Sequence, residues 1–114
     1  MKNKYNNVKI VDGDGNSFDS KKELRRWNEL KLMEKGGEIT SLDRQQKFVL
    51  IPSQNIDGIK ERECSYIADF VYVDKNGMKI VEDVKGMKKG PAYQLFVIKR
   101  KLMLNVHGIH VIEI

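Results

Sequence analysis

Asp83-Val84-Lys85 sets a carboxylate and an ammonium two residues apart at the end of an apolar strand candidate, Met78 to Val84. Just upstream, Asp69 interrupts the apolar and aromatic run Tyr66-Ile67-Ala68-Asp69-Phe70-Val71-Tyr72-Val73. Side chains alternate along a strand, so Asp83 and Lys85 share one face while Glu82 and Val84 take the other. A charge stranded among apolar neighbours costs on the order of several kcal/mol unless it is paired or binds a metal. Two such strands joined by a short turn would bring Asp69, Asp83 and Lys85 together. Phosphodiester hydrolysis by a divalent cation needs that kind of arrangement.

The chemistry calls for a water activated near neutral pH and for charge stabilisation on the phosphorus centre, and cations held by carboxylates supply both. Asp69 and Asp83 are the natural ligands, and the backbone carbonyl of Val84 could add an oxygen. Glu23, predicted on the inward face of a helix, could bind a second ion or hold a metal-bound water. Lys85 would orient the attacking water or neutralise charge on the phosphate. An all-oxygen donor set without a His/Cys cluster favours Mg2+ or Mn2+ over zinc. No organic cofactor is expected.

Each residue also has a purely structural explanation. Ser20-x-x-Glu23 is a capping box. Asp69 could be satisfied by backbone donors, and Asp83 with Lys85 could be an ion pair at a sheet edge. Glu82, on the opposite face, reads as structural and paired to a basic residue. Together, the charges in apolar elements require several independent explanations to coincide.

The elements that must position these groups follow from pattern. Val8 to Val11 is a short strand candidate, and Asp12-Gly13-Asp14-Gly15-Asn16 is a turn, giving a small N-terminal hairpin-like entry. Ser20 leads into a helix that ends at Gly36-Gly37, with Leu24, Trp27, Leu30 and Met33 on one arc and Glu23 near its centre. Strands are predicted over Lys47 to Ile51, Glu63 to Val73 and Met78 to Val84, with Asp57-Gly58 and Asn76-Gly77 as turns. Pro91 opens a second helix over Ala92 to Val106, and Ile109 to Ile114 closes as a strand. The fold class is therefore α/β. A mixed central sheet in αβββαβ order is flanked by helices, because a helix between the last two strands requires a crossover.

At 114 residues the chain reads as a single domain spanning residues 1–114. A net charge of +5 favours a polyanionic partner. Lys88 and Lys89 in the loop after the site, and Lys99, Arg100 and Lys101 on the second helix, could line a nucleic-acid path. Lys99, Tyr93 and Gln94 are further candidates to join the site. One cysteine, Cys64, fits a packing role in a reducing cytoplasm, and no apolar run is long enough for a membrane span. His107 and His110 read as a helix terminus and a strand residue, not as ligands.

Asp69 with Asp83-Val84-Lys85, on this order of elements, resembles the PD-(D/E)xK, or restriction-endonuclease-like, nuclease superfamily. Ala68 stands where that motif often has proline. More closely, Phe18-Asp19-Ser20-Lys21-Lys22-Glu23, Gln45 with Phe48, Ala68-Asp69-Phe70-Val71-Tyr72, Val81-Glu82-Asp83-Val84-Lys85-Gly86 and Lys99-Arg100-Lys101 resemble an uncharacterised family of small phage proteins assigned to that superfamily. The resemblance implies a restriction-endonuclease-like core and a Mg2+-dependent DNA endonuclease. It gives Glu23, Asp69, Asp83 and Lys85 the active-site roles, and its relatives include junction resolvases that are often homodimers.

The expected function is thus metal-dependent hydrolysis of branched or structured phage DNA in the host cytoplasm. The alternative is a non-catalytic DNA-binding or adaptor module of the same fold.

Overall fold

The computed structural model describes residues 9–114. Val8, the first residue of the expected entry strand, lies outside them. The elements in chain order are β1 (Ile10–Val11), β2 (Ser17–Phe18), α1 (Lys21–Lys35), β3 (Thr40–Ile51), β4 (Gln54–Ile56), β5 (Ile59–Glu61), β6 (Cys64–Val73), β7 (Lys79–Asp83), α2 (Pro91–Leu102), a π-helical turn (Met103–His107) and β8 (Ile112–Glu113). The protein is mixed α/β. Its central sheet runs β3-β6-β7-β8, antiparallel except for the parallel β7–β8 pair that follows the α2 crossover. β1 with β2 and β4 with β5 form two small antiparallel hairpins. Among the described residues, no helix is long and apolar enough to cross a membrane.

Local chemistry sets the boundaries. Ser20 caps α1 by accepting from the Glu23 N–H, satisfying one of the donors that a helix start leaves free. The β4–β5 turn carries positive φ at Asp57 (52°) and Gly58 (81°), the pairing that a two-residue hairpin turn demands. The second helix starts one residue before the predicted Ala92, at Pro91, and its last turn widens into the π form instead of running on to Val106. β3 begins at Thr40, seven residues ahead of the predicted Lys47, and β8 is confined to two residues of the predicted Ile109 to Ile114.

Two cores sandwich the sheet. Phe48, Leu50, Tyr66, Ala68, Val71 and Val81 pack with Phe96 of α2 and Met103. Phe70, Tyr72 and Ile39 pack with Leu30, Trp27 and Met33 of α1. A regular strand would send Tyr66, Ala68, Phe70 and Tyr72 to one face, yet the first two lie on the α2 side and the last two on the α1 side. The alternation slips by one residue at Asp69. The partner strand slips with it: Gln46 pairs with Ala68 and Arg44 with Phe70, while Gln45 between them adopts φ 54°.

Candidate functional site

Asp69 sits where the β6–β7 ladder ends. β6 and β7 are paired from Val73 with Lys79 down to Phe70 with Glu82. The next residues in that register are Asp69 and Asp83. Here the side chain replaces the backbone: Asp69 Oδ2 accepts from the Val84 N–H at 2.8 Å. The strands part at this point, leaving a notch in which the charge of Asp83 acts on Asp69. β8 fixes the far side, with the Ile114 N–H donating to the Asp83 carbonyl at 2.9 Å.

Asp83 is 4% exposed. Its Oδ1 accepts from the Tyr66 hydroxyl at 2.9 Å. Lys85 Nζ lies 2.7 Å from Oδ2, but not at a hydrogen-bonding angle, so this buried oxygen accepts no directional bond. The contact is ionic. The same ammonium rests 4.1 Å from the centroid of the Phe96 ring, a cation–π arrangement. Burial, with Asp83 beside it, pushes the Tyr66 hydroxyl far above its ordinary value, so it stays a donor.

The Asp69 carboxyl is raised to about 7 by burial first and then by the charge of Asp83, with Glu23 adding to the effect and the Val84 N–H and Lys85 opposing it. Burial and a neighbouring carboxylate both disfavour the ionised form, and here they outweigh the local donors. Gln45, across β3 from this point, brings Nε2 to 3.4 Å from Asp69 Oδ1.

Glu23 lies on the inward face of α1, as expected. It is buried, at 4% exposure, and reaches back past the cap: Oε2 accepts from the Asp19 N–H at 3.1 Å, one residue before Ser20. Arg44 Nη2 approaches its Oε1 at 3.6 Å. Glu23 lines a concavity of about 230 Å3 with Lys9, Asp19, Arg44 and Gln45, separate from the groove of Asp83 and Lys85. Among the described residues, no three His, Cys, Asp or Glu side chains converge as a metal-binding group. The predicted pair Asp69 and Asp83 assembles with Lys85, and Glu23 stands beside it, held by the Asp19 N–H.

Glu82 points to the α1 face, as alternation requires. It is 1% exposed and receives two bonds from Arg26, at 2.8 Å to Oε1 and 2.6 Å to Oε2, plus the Tyr72 hydroxyl. The Tyr72 hydroxyl is pushed up to about 12 by burial and by this bond.

The basic residues divide. Lys99 lines the groove beside Lys85. Lys88 and Arg100 are engaged by Glu113, at 3.2 and 2.6 Å. The Tyr93 hydroxyl joins them at 2.6 Å, so Tyr93 braces β8 and does not enter the site. Glu113 is held below the ordinary carboxylate range, chiefly by that tyrosine bond. Lys89, Gln94 and Lys101 are exposed. His107 contacts the Val49 carbonyl at 2.8 Å, and half-buried Cys64 packs against the α2-side core.

Arg44 was absent from the sequence-derived site. It is partly buried, its guanidinium lies 4.0 Å from the Phe18 ring centroid, and Nη2 donates to the Ser17 carbonyl at 2.8 Å. Straight alternation conceals it, because Arg44 lies with Leu42 on the α1 side while Phe48 and Leu50, in the same period of two, lie on the α2 side.

A protein-family model described as "Protein of unknown function (DUF1064)" matches residues 2–109, and the chain belongs to that family. No curated protein and no solved structure matches it.

Proposed function

We propose that this protein is a metal-dependent endonuclease that hydrolyses phosphodiester bonds in branched or otherwise structured DNA, on a restriction-endonuclease-like core. The observation that carries the reading is the Asp69–Asp83 pair at the parting of β6 and β7, with the Lys85 ammonium 2.7 Å from Asp83 Oδ2. The succession α1, β3, β6, β7, α2 and β8 supports the same reading.

The donors fit Mg2+ or Mn2+. Asp83 Oδ2 is buried without a directional partner, and the Asp69 carboxyl, raised by burial and then by the charge of Asp83, would be drawn back to its ionised form by a bound cation. Asp69, Asp83 and the Val84 carbonyl would hold the ion. When bound, such an ion lowers the pKa of a coordinated water and offsets charge on the phosphate. The chain's own groups do the positioning. The Val84 N–H fixes Asp69, and the Tyr66 hydroxyl fixes Asp83. Lys85, steadied by Phe96, presents its ammonium where a phosphate oxygen and an attacking water would meet. Attack by water at phosphorus forms one P–O bond as the ester P–O bond breaks.

A DNA-binding module without turnover is the second reading, favoured by the bond that holds Glu23 to the Asp19 N–H. It predicts affinity that falls with salt and no cleavage with any divalent ion. The test is cleavage of plasmid, single strands and four-way junctions with Mg2+ or Mn2+. The endonuclease reading expects cleavage by the native protein and none by Asp83→Ala; cleavage that survives this substitution rejects the site.

A further inference from the structure

The groove that opens from Asp83 has a composition that a phosphate track alone does not explain. It measures about 350 Å3 and lies between the start of β6 and the first half of α2. Asp83, Lys85 and Lys99 line it together with Tyr66, Ile67 and Leu95. Ile67 and Leu95 are each 52% exposed. A stacked duplex offers its bases only by their edges, and the broad apolar faces that would best cover two exposed aliphatic side chains stay hidden in the stack. An unstacked base has an apolar face and carries its phosphate at a fixed short reach. The volume is near the small end of sites that enclose a small molecule, which run from about 300 Å3, and it is suited to one nucleotide.

We propose that this groove seats one unstacked nucleotide next to the phosphate at Asp69 and Asp83, its base against Ile67 and Leu95 and its phosphate on Lys99 and Lys85. The assignment rests on the phosphodiester reading above and deepens it: the preferred strand is one whose base is free to leave the stack, at a flap, fork or junction. Charge complementarity commits the occupant to an anion, and the aliphatic walls commit it to one with a nonpolar face.

The experiment compares affinities for a fluorescent duplex and for the same duplex carrying a single-stranded flap, by anisotropy in Ca2+, with cleavage in Mg2+ measured in parallel. The native protein is expected to prefer the flap. Leu95→Glu and Ile67→Glu, both at exposed positions, should lower the flap-to-duplex ratio at least about fivefold, the low end of what one lost base contact costs. Ile59→Glu, on the β4–β5 hairpin, should leave the ratio unchanged. Equal affinity of the native protein for both DNAs overturns the proposal, as does a ratio untouched by either groove variant. A Leu95-dependent flap preference without cleavage upholds the subsite and removes the hydrolase reading. Cleavage with a ratio indifferent to Leu95 does the reverse.

Discussion

Gln45 faces Asp69 across the β3–β6 ladder in a left-handed backbone conformation, φ 54°, with its amide nitrogen 3.4 Å from the aspartate. A non-glycine residue with positive φ inside a strand is uncommon, and here it accompanies the change of face in both strands. Gln45→Gly should therefore be tolerated or slightly stabilising. Gln45→Val, β-branched at the same φ, should lose roughly 1–3 kcal/mol. Urea denaturation of the two variants checks the difference.

Asp69 makes metal-free stability depend on pH. Its folded carboxyl titrates at about 7, above the unfolded value of about 4. The folded state thus holds the proton more tightly, and stability from this group is full below pH 4 and lost as pH rises towards 7. In EDTA, the urea midpoint should fall over that interval, and Asp69→Asn should flatten the fall. Adding Mn2+ at pH 7.5 should restore the native protein's midpoint and leave that of Asp69→Asn little changed.

Arg26 is the counterion of a fully buried carboxylate. Arg26→Ala should cost about 3–5 kcal/mol, because Glu82 is left without its partner. The double change Arg26→Met with Glu82→Leu should cost much less, since it removes both charges together. A double-mutant cycle in denaturant reads the coupling.

Glu23 is held by the Asp19 N–H, a bond that a glutamine carbonyl can also accept. Glu23→Gln removes the charge that faces Arg44 and should lower Mn2+ affinity less than Asp69→Asn does, whereas Ser20→Ala should cost about 1 kcal/mol of stability. Calorimetric Mn2+ titration of Glu23→Gln provides the check. A large loss of affinity would place Glu23 among the ligands.

Much of this arrangement was legible in the residues. The Ser20 cap, the Asn76-Gly77 turn, the shared face of Asp83 and Lys85 and the pairing of Glu82 with a basic residue follow from local rules, and the structure has each of them. The slip at Asp69 was not legible, because alternation counted straight through Tyr66 to Tyr72 has no means of registering a twisted partner strand. The polar first half of β3 escaped for a related reason: an edge strand buries one side lightly, and its pattern fades. Glu23 illustrates a competition that spacing cannot decide, since the same inward position serves a backbone N–H or an ion. Lys88 and Arg100 looked free only because Glu113, the anion that engages them, arrives from a strand far along the chain.

The bond from Ile114 to the Asp83 carbonyl has a bearing on how the chain comes to act. The two strands that carry the aspartates are neighbours in sequence and can meet early, but β8 reaches β7 only after α2 has crossed over, and such distant pairings form slowly. The acidic notch is therefore expected to gain its outer wall late in folding, which amide exchange during refolding would check. A partly folded chain would hold these charges without the frame that aims them, so the proposed activity would arrive with the closing of the sheet.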